Sequence, residues 1–317
     1  MNRTNRSVRG GSEGRGRGVG ARDGLVRWTL NASAFARLAE GVLTRLVVGG
    51  VLAAGGSALA GPQGEQVVAG DVRFDRQQGL TNITASDGAI INYRSFDIAR
   101  GETVRFIQPG ESARVLNRIA GEVPTRIDGS LLANGRVYLV NPAGVYFGRD
   151  SVVNVGALVA AAGNISDRDF QRRMDRFVGT GTVVNEGRID ANLVALVGQR
   201  VVNRGTISAP GGQVVLAAGR DILIGERGGH FFVRFENAIT PVDGTGVEQA
   251  GTVDAPGGRV LMAAGDLYGM AVYHQGVTRA RNIRLSGGKG ASAEGRSGVV
   301  SVSGTLDASG ASNDAPT

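Results

Sequence analysis

The residues able to do chemistry are few. The chain has no cysteine, which excludes a disulfide scaffold, a thiolate-ligated zinc and a cysteine nucleophile. Its two histidines, His230 and His274, stand 44 positions apart and are read as structural or surface residues rather than metal ligands. A metal site is therefore not expected, and no cofactor is implied. The carboxylates offer more. Asp190, Asp221, Asp254 and Asp307 recur near turns. Acids converging in one groove with raised pKa values are what a polysaccharide-cleaving enzyme needs. As turn residues recurring in repeat register, however, these four require no catalytic role. Asn82-Ile-Thr and Asn164-Ile-Ser match glycosylation sequons, a frequent chance triplet. A surface that binds glycans or proteins is a third possibility, although no basic-aromatic patch stands out. The one tryptophan, Trp28, lies near the amino terminus.

Whatever these residues do, a repetitive β framework must position them. From about Gly61 onward, short runs of Val, Ile, Leu and Ala alternate with Gly, Asn and Asp, as in Arg136-Val-Tyr-Leu-Val140 and Gln213-Val-Val-Leu-Ala-Ala218. Such runs read as strands of four to seven residues bounded by turns. Of the 317 residues 52 are glycine but only 8 are proline, with no Gly-X-Y period, so a collagen-like chain is excluded. The 42% of hydrophobic residues suffices for a core.

Internal repetition specifies the architecture. Gly205-Thr-Ile-Ser-Ala-Pro-Gly-Gly-Gln-Val-Val-Leu-Ala-Ala-Gly219 recurs as Gly251-Thr-Val-Asp-Ala-Pro-Gly-Gly-Arg-Val-Leu-Met-Ala-Ala-Gly265, with 10 of 15 positions identical at an offset of 46. Gly304-Thr-Leu-Asp-Ala-Ser309 begins a further copy, and Asn185-Glu-Gly-Arg-Ile189 is echoed 18 residues later by Asn203-Arg-Gly-Thr-Ile207. An offset near 20 suits one coil of a β-solenoid. The offset of 46 is then read as two coils with a small insertion near 231–249, and the whole as roughly 12 coils forming a rod of about 55–60 Å. A β-sandwich or closed barrel demands neither self-match. One helical turn is expected: Ser166 caps, Asp169 sits three residues on, Ile165 staples to Phe170, and Phe170, Met174 and Phe177 share a face.

The charge belongs to one end. Residues 1–60 hold nine arginines and three acids, a net of +6 out of +7 for the chain, leaving 26 basic and 25 acidic groups beyond. A nucleic-acid partner is thus not supported. Within that end, the uncharged run 46–60 closes on Ala58-Leu59-Ala60, the small-x-small pattern of a secretory signal cleaved after Ala60. Residues 1–60 are read as a signal peptide with an extended basic n-region, or with a true start downstream. The absence of a twin-arginine pair from this leader favours the general secretory route. No integral membrane span is expected after cleavage. The chain stops just after a repeat begins, which reads as either a truncated product or the lead segment of a longer exoprotein.

Several stretches together resemble a known family. They are Ala89-Ile-Ile-Asn-Tyr-Arg-Ser-Phe-Asp-Ile98, Gly101-Glu-Thr-Val-Arg-Phe-Ile-Gln-Pro109, Ile127-Asp-Gly-Ser-Leu-Leu-Ala-Asn-Gly135 and Val137-Tyr-Leu-Val-Asn-Pro-Ala-Gly-Val-Tyr-Phe-Gly148, followed by Val153-Asn-Val-Gly-Ala-Leu-Val-Ala160. This order is similar to the two-partner secretion domain of filamentous-haemagglutinin-like exoproteins, the haemagglutination activity domain family. The resemblance implies an all-β, right-handed parallel β-helix with a small N-terminal cap and a short helical excursion near 165–177. It implies a secretion core over 61–180 with a β-helix repeat continuation over 181–317. It also implies a partner, an outer-membrane barrel transporter with periplasmic recognition domains, and export through the periplasm to the cell surface, with adhesion to a surface or glycan ligand as the end use. A β-helical polysaccharide-active enzyme and a stand-alone surface protein are the alternatives. The family's Asn-Pro-Asn-Gly-Ile motif maps onto Asn141-Pro142-Ala143-Gly144-Val145, with Ala in place of the second Asn and Val in place of Ile. Read as residues alone this is a turn, with Pro fixing φ and Gly supplying a positive one. The motif is either a structural corner or a transporter contact.

Overall fold

A computed structural model describes residues 61–227, 230–235, 242–265, 268–287 and 298–309. The expected cleavage site at Ala58 and Ala60 lies outside the described residues. Within them the chain winds as a parallel β-helix of three faces. The first face stacks Thr125–Ile127, Val145–Phe147, Thr182–Asn185, Arg200–Asn203, Val242–Gln249, Tyr268–His274 and Val299–Val302, each parallel to the next. The second runs from Leu80–Ala85 through Thr103–Ile107, Ser130–Ala133, Val152–Asn154, Arg188–Asp190 and Thr206–Ser208. It continues in the first halves of Thr252–Ala264 and Val277–Gly287 and ends at Thr305–Asp307. The third stacks Ala89–Tyr93, Arg114–Ile119, Arg136–Val140, Ala157–Asn164, Leu193–Gly198 and Gln213–Ala218, then the second halves of those two long strands. The small cap is antiparallel: Gln66–Ala69 pairs with Ala89–Tyr93, and Val72–Gln77 forms a hairpin with Leu80–Ala85.

The pairing corrects the coil arithmetic. Val201 pairs directly with Val247, Thr206 with Thr252 and Gln213 with Arg259. The 46-residue offset is therefore one coil, not two, and the extra residues leave the stack as a hairpin of Asp221–Arg227 with His230–Phe235. Such excursions consume chain without adding height. The second face has nine rungs among the described residues. That is a rise of about 38 Å, in place of twelve coils and 55–60 Å.

Inward side chains form columns. On the first face Val145, Val183, Val201, Val247 and Val272 align, each at most 1% exposed. On the second, Leu131, Val153, Ile189, Ile207 and Val253 do the same. The third face differs, being buried on both sides. Its inner side joins the central core, while Leu116, Tyr138, Val159, Ala195 and Val215 align on its outer side in a second core. A sheet covered on both faces has no solvated side to place polar residues on, so its strands read as unbroken apolar runs. Ala157–Asn164, Ala-Leu-Val-Ala-Ala-Ala-Gly-Asn, is buried at its first seven positions.

What covers that outer side is the excursion material. Ser166 caps a helix at Asp167–Gln171, accepting from the Asp169 amide, as expected. Ile165 and Phe170 are buried in the outer core. The helix then ends. Phe177 reaches the same core from a strand, Asp175–Gly179, and Met174 is exposed, so the three-residue helical stripe is not formed. The strand pairs antiparallel with Asp221–Arg227 to make a small outer sheet. Two arginines of the third face hold the helix down. Arg114 donates to the Phe170 carbonyl (3.0 Å) with its guanidinium 4.6 Å from the Phe170 ring, and Arg118 donates to the Ile165 carbonyl (2.9 Å).

One corner accounts for a recurring set of glycines. Gly187, Gly205, Gly251, Gly276 and Gly304 stack between the first and second faces. A Cβ on Gly205, Gly251, Gly276 or Gly304 would stand 2.0–2.2 Å from the carbonyl oxygen of the glycine below it. Coils approach there more closely than any side chain permits.

Candidate recognition corner and its surroundings

Asn141-Pro142-Ala143-Gly144-Val145 carries the chain from the third face to the first. It follows Arg136–Val140, and its last residue opens Val145–Phe147. Asn141 is fully buried and uses both ends of its amide. Its Nδ2 donates to the Val123 carbonyl and to Thr125 Oγ1, both at 3.0 Å, and its Oδ1 accepts from the Ala143 amide at 2.9 Å. The Gly144 amide donates to the Asn141 carbonyl (3.0 Å), closing the turn. Gly144 sits at φ +132°, a region side chains resist. Thr180 Oγ1 donates to the Pro142 carbonyl (2.9 Å), tying the corner to the coil above. Asn141, Gly144 and Val145 are therefore consumed by the corner, whereas Pro142 and Ala143 are half-exposed and offer a surface.

Beside the corner, the outer side of the first face carries a charge network. Tyr146 donates to Glu186 Oε2 at 2.9 Å, and Arg149 reaches the same oxygen at 3.3 Å. Arg204 bridges Glu186 (3.7 Å) and Glu248 (3.0 Å), and Arg200 adds a contact to Glu248 at 3.3 Å. The Tyr146 hydroxyl, with the arginines after it, holds the Glu186 carboxyl below the usual range. Surface pairs of this kind contribute little stability each, but they link outward side chains across four consecutive coils.

The candidate carboxylates do not converge. Asp190, Asp254 and Asp307 lie in one column of the second face, separated by Ser208 and Arg279. Asp221 lies in the hairpin, paired with Val178. Arg188 donates twice to Asp190, at 2.8 and 2.6 Å. Asp307 accepts from Ser309, which lowers its pKa; Arg279 stands 3.9 Å away. The carboxyl pKa values of Glu186 and Asp307 are displaced downward, opposite to what a general acid needs.

His274 has a role the sequence did not disclose. It ends an internal polar column, Asn185, Asn203, Gln249 and His274, each 0% exposed and stacked rung on rung. Asn185 Nδ2 donates to Asn203 Oδ1 (2.8 Å), Asn203 Nδ2 to Gln249 Oε1 (2.7 Å), and Gln249 Nε2 to the Gly251 carbonyl (3.0 Å). His274 Nε2 pairs with Thr278 Oγ1 at 2.9 Å, and burial lowers the imidazole pKa. The Asn185/Asn203 echo was the visible signal; Gln249 and His274 differ in type and were not recognisable as its continuation. His230 lies in the hairpin strand. Among the described residues no group of three or more His, Asp or Glu is placed to hold a metal, and no helix is long and apolar enough to cross a membrane.

Comparison with known proteins places this architecture. The TPS secretion domain family matches residues 60–308. The secretion domain of HMW1 from Haemophilus influenzae has a similar structure, with a TM-score of 0.54 and 27% identity over 76% of this chain and 62% of that one. A heme/hemopexin-binding protein of H. influenzae (strain Rd) is 34% identical over 172 residues, 50% of this chain and 19% of that protein. A second H. influenzae protein of that description is 35% identical over 131 residues, 40% of this chain and 14% of its own length. This chain thus matches less than a fifth of the length of these curated relatives. With the family matched across nearly all the described β-helix, cap and outer sheet included, the chain belongs to the TPS secretion domain family, the modules of two-partner secretion exoproteins exported through the periplasm.

Proposed function

We propose that this chain is the export module of a surface exoprotein, recognised in the periplasm by the periplasmic domains of a dedicated outer-membrane barrel, and that the exoprotein serves adhesion. The family match over residues 60–308 carries the reading. The fold supplies a mechanism. A chain without cysteine threads unfolded with no disulfide to open. Each coil emerging outside then buries apolar area on the coil before it. Capture by strand addition suits segments that become rungs, since their backbone groups are unpaired until stacked. Within this reading, 61–180 is the secretion core and 181–317 its repeat continuation; strand pairing runs unbroken across residue 180, from Val145–Phe147 to Thr182–Asn185.

For the corner, we assign the contact to the half-exposed Pro142 and Ala143, and to Asn141, Gly144 and Val145 the task of presenting them. Secretion measured with and without the partner barrel tests the function: export undiminished without the barrel refutes it. Ala143→Arg tests the corner. Folding as wild type with secretion lost supports contact there, and normal secretion rejects it.

A further inference from the structure

The outer sheet stops before the surface it covers does. Its strands run Asp175–Gly179, Asp221–Arg227, His230–Phe235, and the far edge of His230–Phe235 has no strand partner among the described residues. Val233 and Phe235 pack down on the outer core. Beyond them the apolar column of the third face continues for one more rung, from Val215 to Leu261 and from Ala217 to Ala263, before turning polar at Arg284 and Ser286. A cleft of about 390 Å³ lies between the strand edge and that rung, with Val215, Leu261 and Ala263 in its lining. Arg259 and Arg284 line it too, and among the described residues no carboxylate does. Some other surface arginines are tied to acids, as Arg188 is to Asp190 and Arg204 to Glu248. The guanidinium of neither Arg259 nor Arg284 has a hydrogen-bond or ion-pair partner among the described residues.

An open strand edge, an apolar floor and two unpaired cations describe a slot for one more strand bearing acids. We propose that an extended acidic peptide segment of a partner protein adds to the outer sheet along His230–Phe235, its apolar side chains over Leu261 and its carboxylates on Arg259 and Arg284. Main-chain pairing supplies affinity, and the arginines choose the sign of charge. A polysaccharide with acidic groups satisfies the arginines but not the edge.

The test uses the folded chain and a fluorescent ten-residue peptide of alternating Val and Glu, read by anisotropy. Binding is expected, with a loss of at least ~10-fold when Lys replaces Glu and abolition when alternate backbone nitrogens are methylated. Arg259→Glu/Arg284→Glu, both on the surface, should invert the preference between the Glu and Lys peptides. Failure of the Glu peptide to bind, equal binding of the Glu and Lys peptides, undiminished binding of the methylated peptide, or capture of polygalacturonate in its place overturns the proposal. No transporter takes part, so the outcome is separable from that of the secretion assay.

Discussion

Removing Asn203 from the internal column should be far more costly than its size suggests. In Asn203→Ala the Asn185 Nδ2 loses its acceptor and the Gln249 Oε1 its donor, both on side chains that are 0% exposed. Each orphaned buried group costs about 1–3 kcal/mol, so the pair costs roughly 2–6 kcal/mol, a large part of the ~5–15 kcal/mol that holds a domain together. Native-state hydrogen exchange at the amides of 200–203 and 247–249 reads the loss locally, and urea unfolding reads it globally. The double variant Asn185→Ala/Asn203→Ala removes one orphan along with its partner, so the two substitutions should fall short of additivity by about 0.5–3 kcal/mol. A single-variant cost below ~0.5 kcal/mol, within the range of a neutral surface change, or strict additivity would refute the claim that these amides act as one hydrogen-bonded chain.

Gly251→Ala should destabilise by about 1–3 kcal/mol or more, because its Cβ would stand 2.1 Å from the Gly205 carbonyl oxygen and 2.6 Å from the Arg204 carbonyl carbon, backbone that cannot swing aside; thermal unfolding checks it. His274 gives a pH dependence. Burial depresses its pKa in the fold, so its contribution is intact above the unfolded value of about 6.5 and is lost as pH falls below that toward the folded pKa. Urea midpoints at pH 7.5 and 5 should differ, and His274→Gln should flatten the difference. Arg114→Ala removes the contact to the Phe170 carbonyl and ring, at a cost of about 1.5–3 kcal/mol, and should speed tryptic cleavage at Arg172 and Arg173 beside the released helix.

The stack itself was legible because each rung repeats a side-chain type: Ile189, Ile207 and Val253 occupy one column, and their flanking glycines mark one corner. The helix at Asp167–Gln171 was legible because its cap is local. The coil count was not. A hairpin leaving the stack between Ala218 and Val247 changes the offset without changing the register, and spacing alone does not distinguish a long coil from two short ones. Phe177 was assigned to a helix because i, i+4, i+7 spacing carries no information on where a helix ends. At the corner, the sequence showed the turn. That Asn141 is spent on Val123 and Thr125, leaving Ala143 outward, depends on a preceding coil that only the fold brings near.

The stacked glycines bear on how such a rod changes length over generations. Since Gly205 rests on Gly187 as Gly251 rests on Gly205, the surface offered upward by one turn is nearly the surface the next turn presents downward. A segment such as 205–250 is therefore a cassette. Duplicating or excising it joins faces that already match, and the 10 shared positions in 15 between its start and the following segment are what a past copying event would leave behind.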